Sequence, residues 1–201
     1  MTDNYTRIVK NNLEKLYNPL PEDLADNLPA RREGDRFLFE AFGEACTIEP
    51  GRITLGKDGF NPVLGIILSL YALNAKPDLC RRAPFRAFKD FPGSMPYVGA
   101  FATHTEQILV PYVEAVAARI PRIKEKLNGT EPPPDVGGDF SFVVYPLPKI
   151  ALCYIFYEAD DDFPASATCL YSNNADRFLP LDPLADTGEY TSKKIIEWVG
   201  G

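Results

Sequence analysis

Apolar side chains recur at helical spacing from the start of the chain: Tyr5, Ile8, Val9, Leu13 and Leu16 follow a cap at Thr2 or Asp3, and Asn18-Pro19 stops the run. This pattern predicts one amphipathic helix, followed by a short helical turn over residues 21–27. Residues 36–42, 45–48 and 52–55 then read as short strands, with Glu49-Pro50-Gly51-Arg52 as a tight turn, which together predict a β-meander. Residues 62–73 open with Asn61 as cap and Pro62 at the first helical position, and are apolar on nearly every face. A buried central helix follows.

The pattern over residues 97–127 is helical again, with Pro111 and Pro121 as breaks and Asn128-Gly129 as a stop. The Pro- and Gly-rich residues 131–138 predict a linker. Beyond it, residues 140–145, 150–157 and 165–171 are β-branched or aromatic runs, and residues 191–199 predict a terminal helix that begins somewhere after Asp182-Pro183. The expected fold class is α+β: a single domain over residues 1–201 with an antiparallel or mixed sheet, built from both strand clusters and packed by several helices. Its helix-rich and meander part would be residues 1–130, and its strand-rich part residues 139–201, with the linker as a surface crossover.

Composition narrows the function classes. Hydrophobic residues make up 45% of the 201, enough for a compact core, so global disorder is excluded. The formal charge is −7. From Glu131 onward 12 acidic residues face 4 basic ones, whereas residues 1–130 hold 16 and 17, so the acidity belongs to the last third. Such a chain is a poor match for a nucleic-acid backbone or an anionic membrane. The longest apolar run, residues 63–72, is far short of the roughly 20 residues that span a bilayer. The N-terminal residues lack the apolar core of a secretory signal, which makes the cytoplasm the expected compartment. Cys46, Cys80, Cys153 and Cys169 are widely spaced without a C-x2-C pair, so they are expected to be reduced and metal-free.

The most concentrated chemistry is Glu158-Ala-Asp-Asp-Asp162, placed where the 150–157 strand ends and followed by Phe163-Pro164. These four carboxylates repel one another, so they must be solvated, protonated, paired with Lys or Arg, or bound to a hard cation such as Mg2+ or Ca2+, with Asp139 joining from a neighbouring strand. Solvated turn carboxylates are the simpler reading, and the spacing is not that of an EF-hand loop. Phe163 is expected to point back into the core, with Phe163→Ala costing roughly 3 to 5 kcal/mol. A basic stretch over residues 76–89 offers Arg81, Arg82 and Arg86 as anion-binding candidates. The stronger reading is a helical turn whose wet side carries Arg86 and Lys89, and whose core side carries Phe85 and Phe88. His104 is the only histidine, which excludes two-histidine metal sites, and no GxGxxG, GxxxxGK[ST] or GxSxG motif occurs.

The order Asp139-Phe-Ser-Phe-Val-Val-Tyr-Pro-Leu-Pro148, the apolar run to Tyr157, the acidic loop closed by Phe163-Pro164 and the segment from Leu170 to Leu179 resemble the bacterial and archaeal family called domain of unknown function 3786. The resemblance extends from about Phe37 to Val199. Tyr157 stands where the family pattern has Trp, and Ala159 where it has Gly. The resemblance implies a cytoplasmic protein of an anaerobe in a setting of corrinoid, one-carbon or redox metabolism. Some relatives carry a four-cysteine iron–sulfur module, which this sequence does not contain, so any cluster is expected on a separate iron–sulfur or corrinoid protein partner.

Two functional readings follow, and the sequence leaves the cofactor open. In the first, the chain is a binding or accessory module that presents residues 158–164, with Tyr157, Glu158, Asp160, Asp161, Asp162, Phe163 and Asp139 as the ligand-binding candidates. In the second, Asp139 and Asp160, Asp161 and Asp162 serve a divalent-metal-dependent enzyme.

Overall fold

A computed structural model describes residues 4–57 and 61–200. Helix α1 (Asn4–Leu16) buries Val9, Leu13 and Leu16 and is followed by the single turn α2 (Leu24–Asn27). Strands β1 (Arg31–Glu33), β2 (Arg36–Ala41), β3 (Glu44–Glu49) and β4 (Arg52–Leu55) form an antiparallel meander in chain order. The β2–β3 connection is a two-residue turn at Phe42 (φ 53°) and Gly43 (φ 75°), the left-handed pair that suits the twist of a hairpin. Phe42 holds this conformation because its ring is fully buried, edge-on to Tyr190 at 4.8 Å, while its N–H donates to Pro146 O at 2.7 Å.

Helix α3 (Pro62–Leu73) is capped by Asn61 as its sequence predicts, the side chain accepting from Val63 N at 3.0 Å. It packs on α1, where Asn12 donates to Ser69 Oγ at 3.0 Å inside the interface. The basic stretch then forms β5 (Arg86–Ala87) and a 3-10 turn over Phe88–Asp90, not the helical turn expected there. Residues 97–127 are likewise broken. Helix α4 (Met95–Phe101) runs into a π turn at Ala102–Glu106 and a 3-10 turn at Gln107–Tyr112, then α5 (Val113–Ala117) and α6 (Ile120–Lys126). Pro111 lies in the 3-10 turn and Pro121 in the first turn of α6, where its missing N–H costs nothing.

Strands β6 (Phe140–Leu147), β7 (Ile150–Tyr157) and β8 (Ser166–Tyr171) join β5 in a second antiparallel sheet of order β5-β8-β7-β6. The α+β class therefore holds, but the strand clusters form two four-stranded sheets where one was expected. Both contribute to one continuous hydrophobic core, in which Phe37 and Ile48 of the meander and Phe142, Tyr154 and Phe156 of the second sheet are fully buried. The closing helix, α7 (Leu181–Val199), contains the expected residues 191–199 and begins at Leu181, just ahead of the Asp182-Pro183 pair after which its start was expected. Its buried Thr187 and Thr191 return their hydroxyls to carbonyls one turn back, at 2.7 and 2.6 Å, so a polar stretch stays helical inside the protein. Gly188 permits the close approach: a Cβ there would sit 2.5 Å from Tyr171 Oη and 2.9 Å from the Phe101 ring. No described helix is long and apolar enough to cross a membrane.

Candidate functional site

The acidic loop connects β7 to β8 at the point where β7, buried along most of its length, leaves the core. Strand residues up to Phe156 bury their rings, Tyr157 emerges half exposed, and residues 158–164 lie in solvent. Asp160 shapes the loop. Its Oδ1 accepts the N–H groups of Asp162 (2.8 Å) and Phe163 (2.7 Å), and its own N–H donates to Phe163 O (3.0 Å). Asp139 anchors the root, its Oδ2 accepting Glu158 N at 2.7 Å while its N–H donates to Phe156 O at 2.9 Å. Gly138, at φ 95°, makes this approach possible, since a Cβ there would meet Ile155 Cγ2 at 2.7 Å and Phe156 O at 2.8 Å.

The structure thus brings Asp139 to the loop as expected and overturns the expectation for Phe163. Its side chain is 70% exposed and points away from the core, because the Asp160 hydrogen bonds fold the loop on itself before the chain can turn inward. No Lys or Arg forms an ion pair with a carboxylate of the loop among the described residues. Nor do the described residues hold any group of three or more His, Cys, Asp or Glu side chains arranged for a metal ion. Beside the loop lies a groove of about 520 Å³ with walls from Val110, Pro111, Glu114, Glu158, Ala159 and Ala165.

The three arginines make different contacts. Arg86 stacks its guanidinium 4.3 Å above the Phe91 ring and donates to the carbonyls of Asp90 and Asn173, so its donors are committed within the fold. Exposed Arg82 reaches Thr130 Oγ1 at 3.1 Å, while Arg81 is held through its backbone, its N–H on Asn174 Oδ1 at 2.8 Å and its carbonyl accepting Asn173 N at 2.6 Å. The Asn173-Asn174 pair therefore fastens the basic stretch. In the Leu147-Pro148-Lys149 turn between β6 and β7, the buried Lys149 donates Nζ to Lys76 O at 2.5 Å. His104 is exposed, and all four cysteines are free, with Cys46, Cys153 and Cys169 buried.

A second set of groups had no signature in the sequence. Strand β5 pairs only with Leu170 and Tyr171, and at the next residue the N–H of Cys169 donates instead to Glu106 Oε1 at 2.9 Å. The π turn brings Glu106 to this strand edge, where burial raises its carboxyl above the ordinary range against the opposing pull of that N–H and of Lys89. A hollow of about 230 Å³ opens here, with walls from Phe88, Lys89, Val98, Phe101, Glu106 and Thr168. On the core side, Thr105 O accepts Ser192 Oγ at 2.7 Å, and Ser192 Oγ also bonds Tyr154 Oη at 3.0 Å. A glutamate in an amphipathic stretch reads as a solvated one, so only the tertiary fold reveals it.

No curated protein and no solved structure matches the chain. A family described as Domain of unknown function (DUF3786) matches residues 21–194, a span that holds every described strand, the π turn and the acidic loop. That match begins earlier and ends sooner than the stretch from Phe37 to Val199 that carries the resemblance. As it covers well over half of the 201 residues, the chain belongs to the DUF3786 family, a family of unknown function.

Proposed function

We propose that the protein is an accessory or binding module whose 158–164 loop docks a partner protein through a basic, partly apolar segment. The observation that carries this reading is Phe163, an aromatic side chain 70% exposed on a loop that Asp160 ties into one shape. An exposed aromatic on a hydrogen-bonded loop whose carboxylates form no ion pair among the described residues, with half-exposed Tyr157 at the strand end before it, matches the anchor-and-rim pattern of a protein interface. Charge complementarity selects the partner's chemistry: lysines or arginines around an apolar notch that takes the Phe163 ring. The preformed loop lowers the ordering cost of association. The family resemblance makes iron–sulfur and corrinoid proteins of the cytoplasm the first partners to try, and the net charge of −7 argues against nucleic acid.

Carbodiimide crosslinking in native extract, which joins a carboxylate directly to a lysine, tests the reading. Crosslinks from residues 158–162 to lysines of one recurrent protein are expected, and Phe163→Ala should abolish them. Crosslinks that scatter over many proteins, or that persist in Phe163→Ala, count against it. The metal-dependent reading is disfavoured by the commitment of Asp160 Oδ1 to two backbone N–H groups. It would be restored by a saturable stabilisation with Mg2+, Ca2+ or Mn2+ at matched ionic strength, about 2.7 kcal/mol at a hundredfold excess over Kd, that vanishes in Asp162→Asn.

A further inference from the structure

The hollow between α4, the π turn and β8 has the wall chemistry of a small-molecule site. Glu106 stands on one side with Oε1 held by Cys169 N–H, and its Oε2 has no hydrogen-bond partner among the described residues. Exposed Lys89 also lines the hollow, and it forms no ion pair with Glu106 among the described residues. Val98, Phe88 and Phe101 add apolar lining, and the Phe88 and Phe101 rings are stacked at 4.6 Å. One small hollow is thus lined by a residue of each sign with no ion pair between them among the described residues.

We infer that this hollow binds a small zwitterion of the amino-acid type, its ammonium on Glu106, its carboxylate on Lys89 and its short carbon chain over Val98 and Phe101. The volume of about 230 Å³ lies below the roughly 300 to 1,000 Å³ of drug-sized sites, which restricts the ligand to a compact molecule. A partly desolvated carboxylate favours a bound cation over water, and the direction in which burial displaces the Glu106 carboxyl agrees with that need. A lone amine would engage only Glu106 and a lone carboxylate only Lys89; a zwitterion engages both.

Calorimetric titration and ligand-observed NMR on the full chain at neutral pH test this, with short unbranched α-amino and ω-amino acids as probes beside the matching alkylamines and alkanoates. At least one zwitterion should bind saturably, with its single-charge analogues weaker by about tenfold or more. Glu106→Gln retains an oxygen for Cys169 N–H and Lys89→Met retains the apolar stem, so both variants should keep the urea midpoint of the parent. Each should nevertheless weaken the zwitterion by about tenfold. Absence of saturable binding to about 10 mM across the series overturns the inference. Equal binding of amine, acid and zwitterion overturns it too, as does binding that survives both substitutions. None of these measurements involves the 158–164 loop, so the partner-docking proposal stands or falls separately.

Discussion

Asp139 and Glu158 are nineteen positions apart, yet the carboxylate of the first accepts the backbone N–H of the second at 2.7 Å. The bond closes the base of the acidic loop: Asp139 leads into β6, Glu158 leaves β7, and the two strands are antiparallel neighbours. One carboxylate of the acidic group therefore has a structural task, which separates it from Asp161 and Asp162.

Asp139→Ala removes that acceptor and should lower stability by about 0.5 to 1.5 kcal/mol, the range of an ordinary net hydrogen bond, since the site is exposed. Asp161→Ala should be neutral within about 0.5 kcal/mol. Urea midpoints at constant m-value measure both. Equal effects would mean that Asp160 alone organises the loop.

Phe163→Ala should leave stability unchanged within about 0.5 kcal/mol, because the ring is in water. Phe156→Ala, seven residues earlier, should cost about 3 to 5 kcal/mol, because its ring is fully buried and stacks on Phe140 at 4.8 Å. Thermal or urea unfolding of the two variants distinguishes an outward loop aromatic from an inward one.

Asp186 on α7 is raised from 3.8 to about 6, by burial first and then by Asp182 and Glu189, with Lys193 opposing. Its folded state holds the proton more tightly than the unfolded state does. The stabilisation it brings is therefore full below pH 3.8 and is lost as pH rises through about 6. Asp186→Asn should raise the urea midpoint at pH 7 and leave it nearly unchanged at pH 3.8, which removes part of the fall in stability over that window.

Denatured protein without reductant should show four free thiols. In the folded protein burial pushes Cys46 and Cys153 up to about 12 and Cys169 well above its ordinary value, so none of these three forms the thiolate that reacts. Half-buried Cys80 should label first with a disulfide reagent at pH 8, and the others only at the rate of unfolding. Labelling kinetics with peptide mapping will show the order.

What the sequence by itself determined is the part of the fold written in local periodicity. Val9, Leu13 and Leu16 mark a helix face, Asn61-Pro62 a helix start, and the run from Ile150 to Tyr157 a buried strand, because each element's apolar pattern or cap chemistry depends on its own residues. The acidic loop was legible for the same reason, since a strand boundary followed by an Asp-rich turn is local information, whereas the bond from Glu158 N to Asp139 across nineteen positions is tertiary. Tertiary structure alone decided which surfaces meet. It divided the strands into two sheets, made Arg86 a strand residue against Tyr171, and kept the Thr187 to Ser192 stretch helical by burying it with its hydroxyls bonded. It turned Phe163 outward, since backbone hydrogen bonds to Asp160 outweigh the burial of one ring on a short tether. It also carried Glu106 to the open edge of β8, where a carboxylate that would otherwise be solvated takes the place of a missing strand. Periodicity states which face of an element is apolar; only packing states what covers that face, and therefore which polar groups are left at the rim of a cavity.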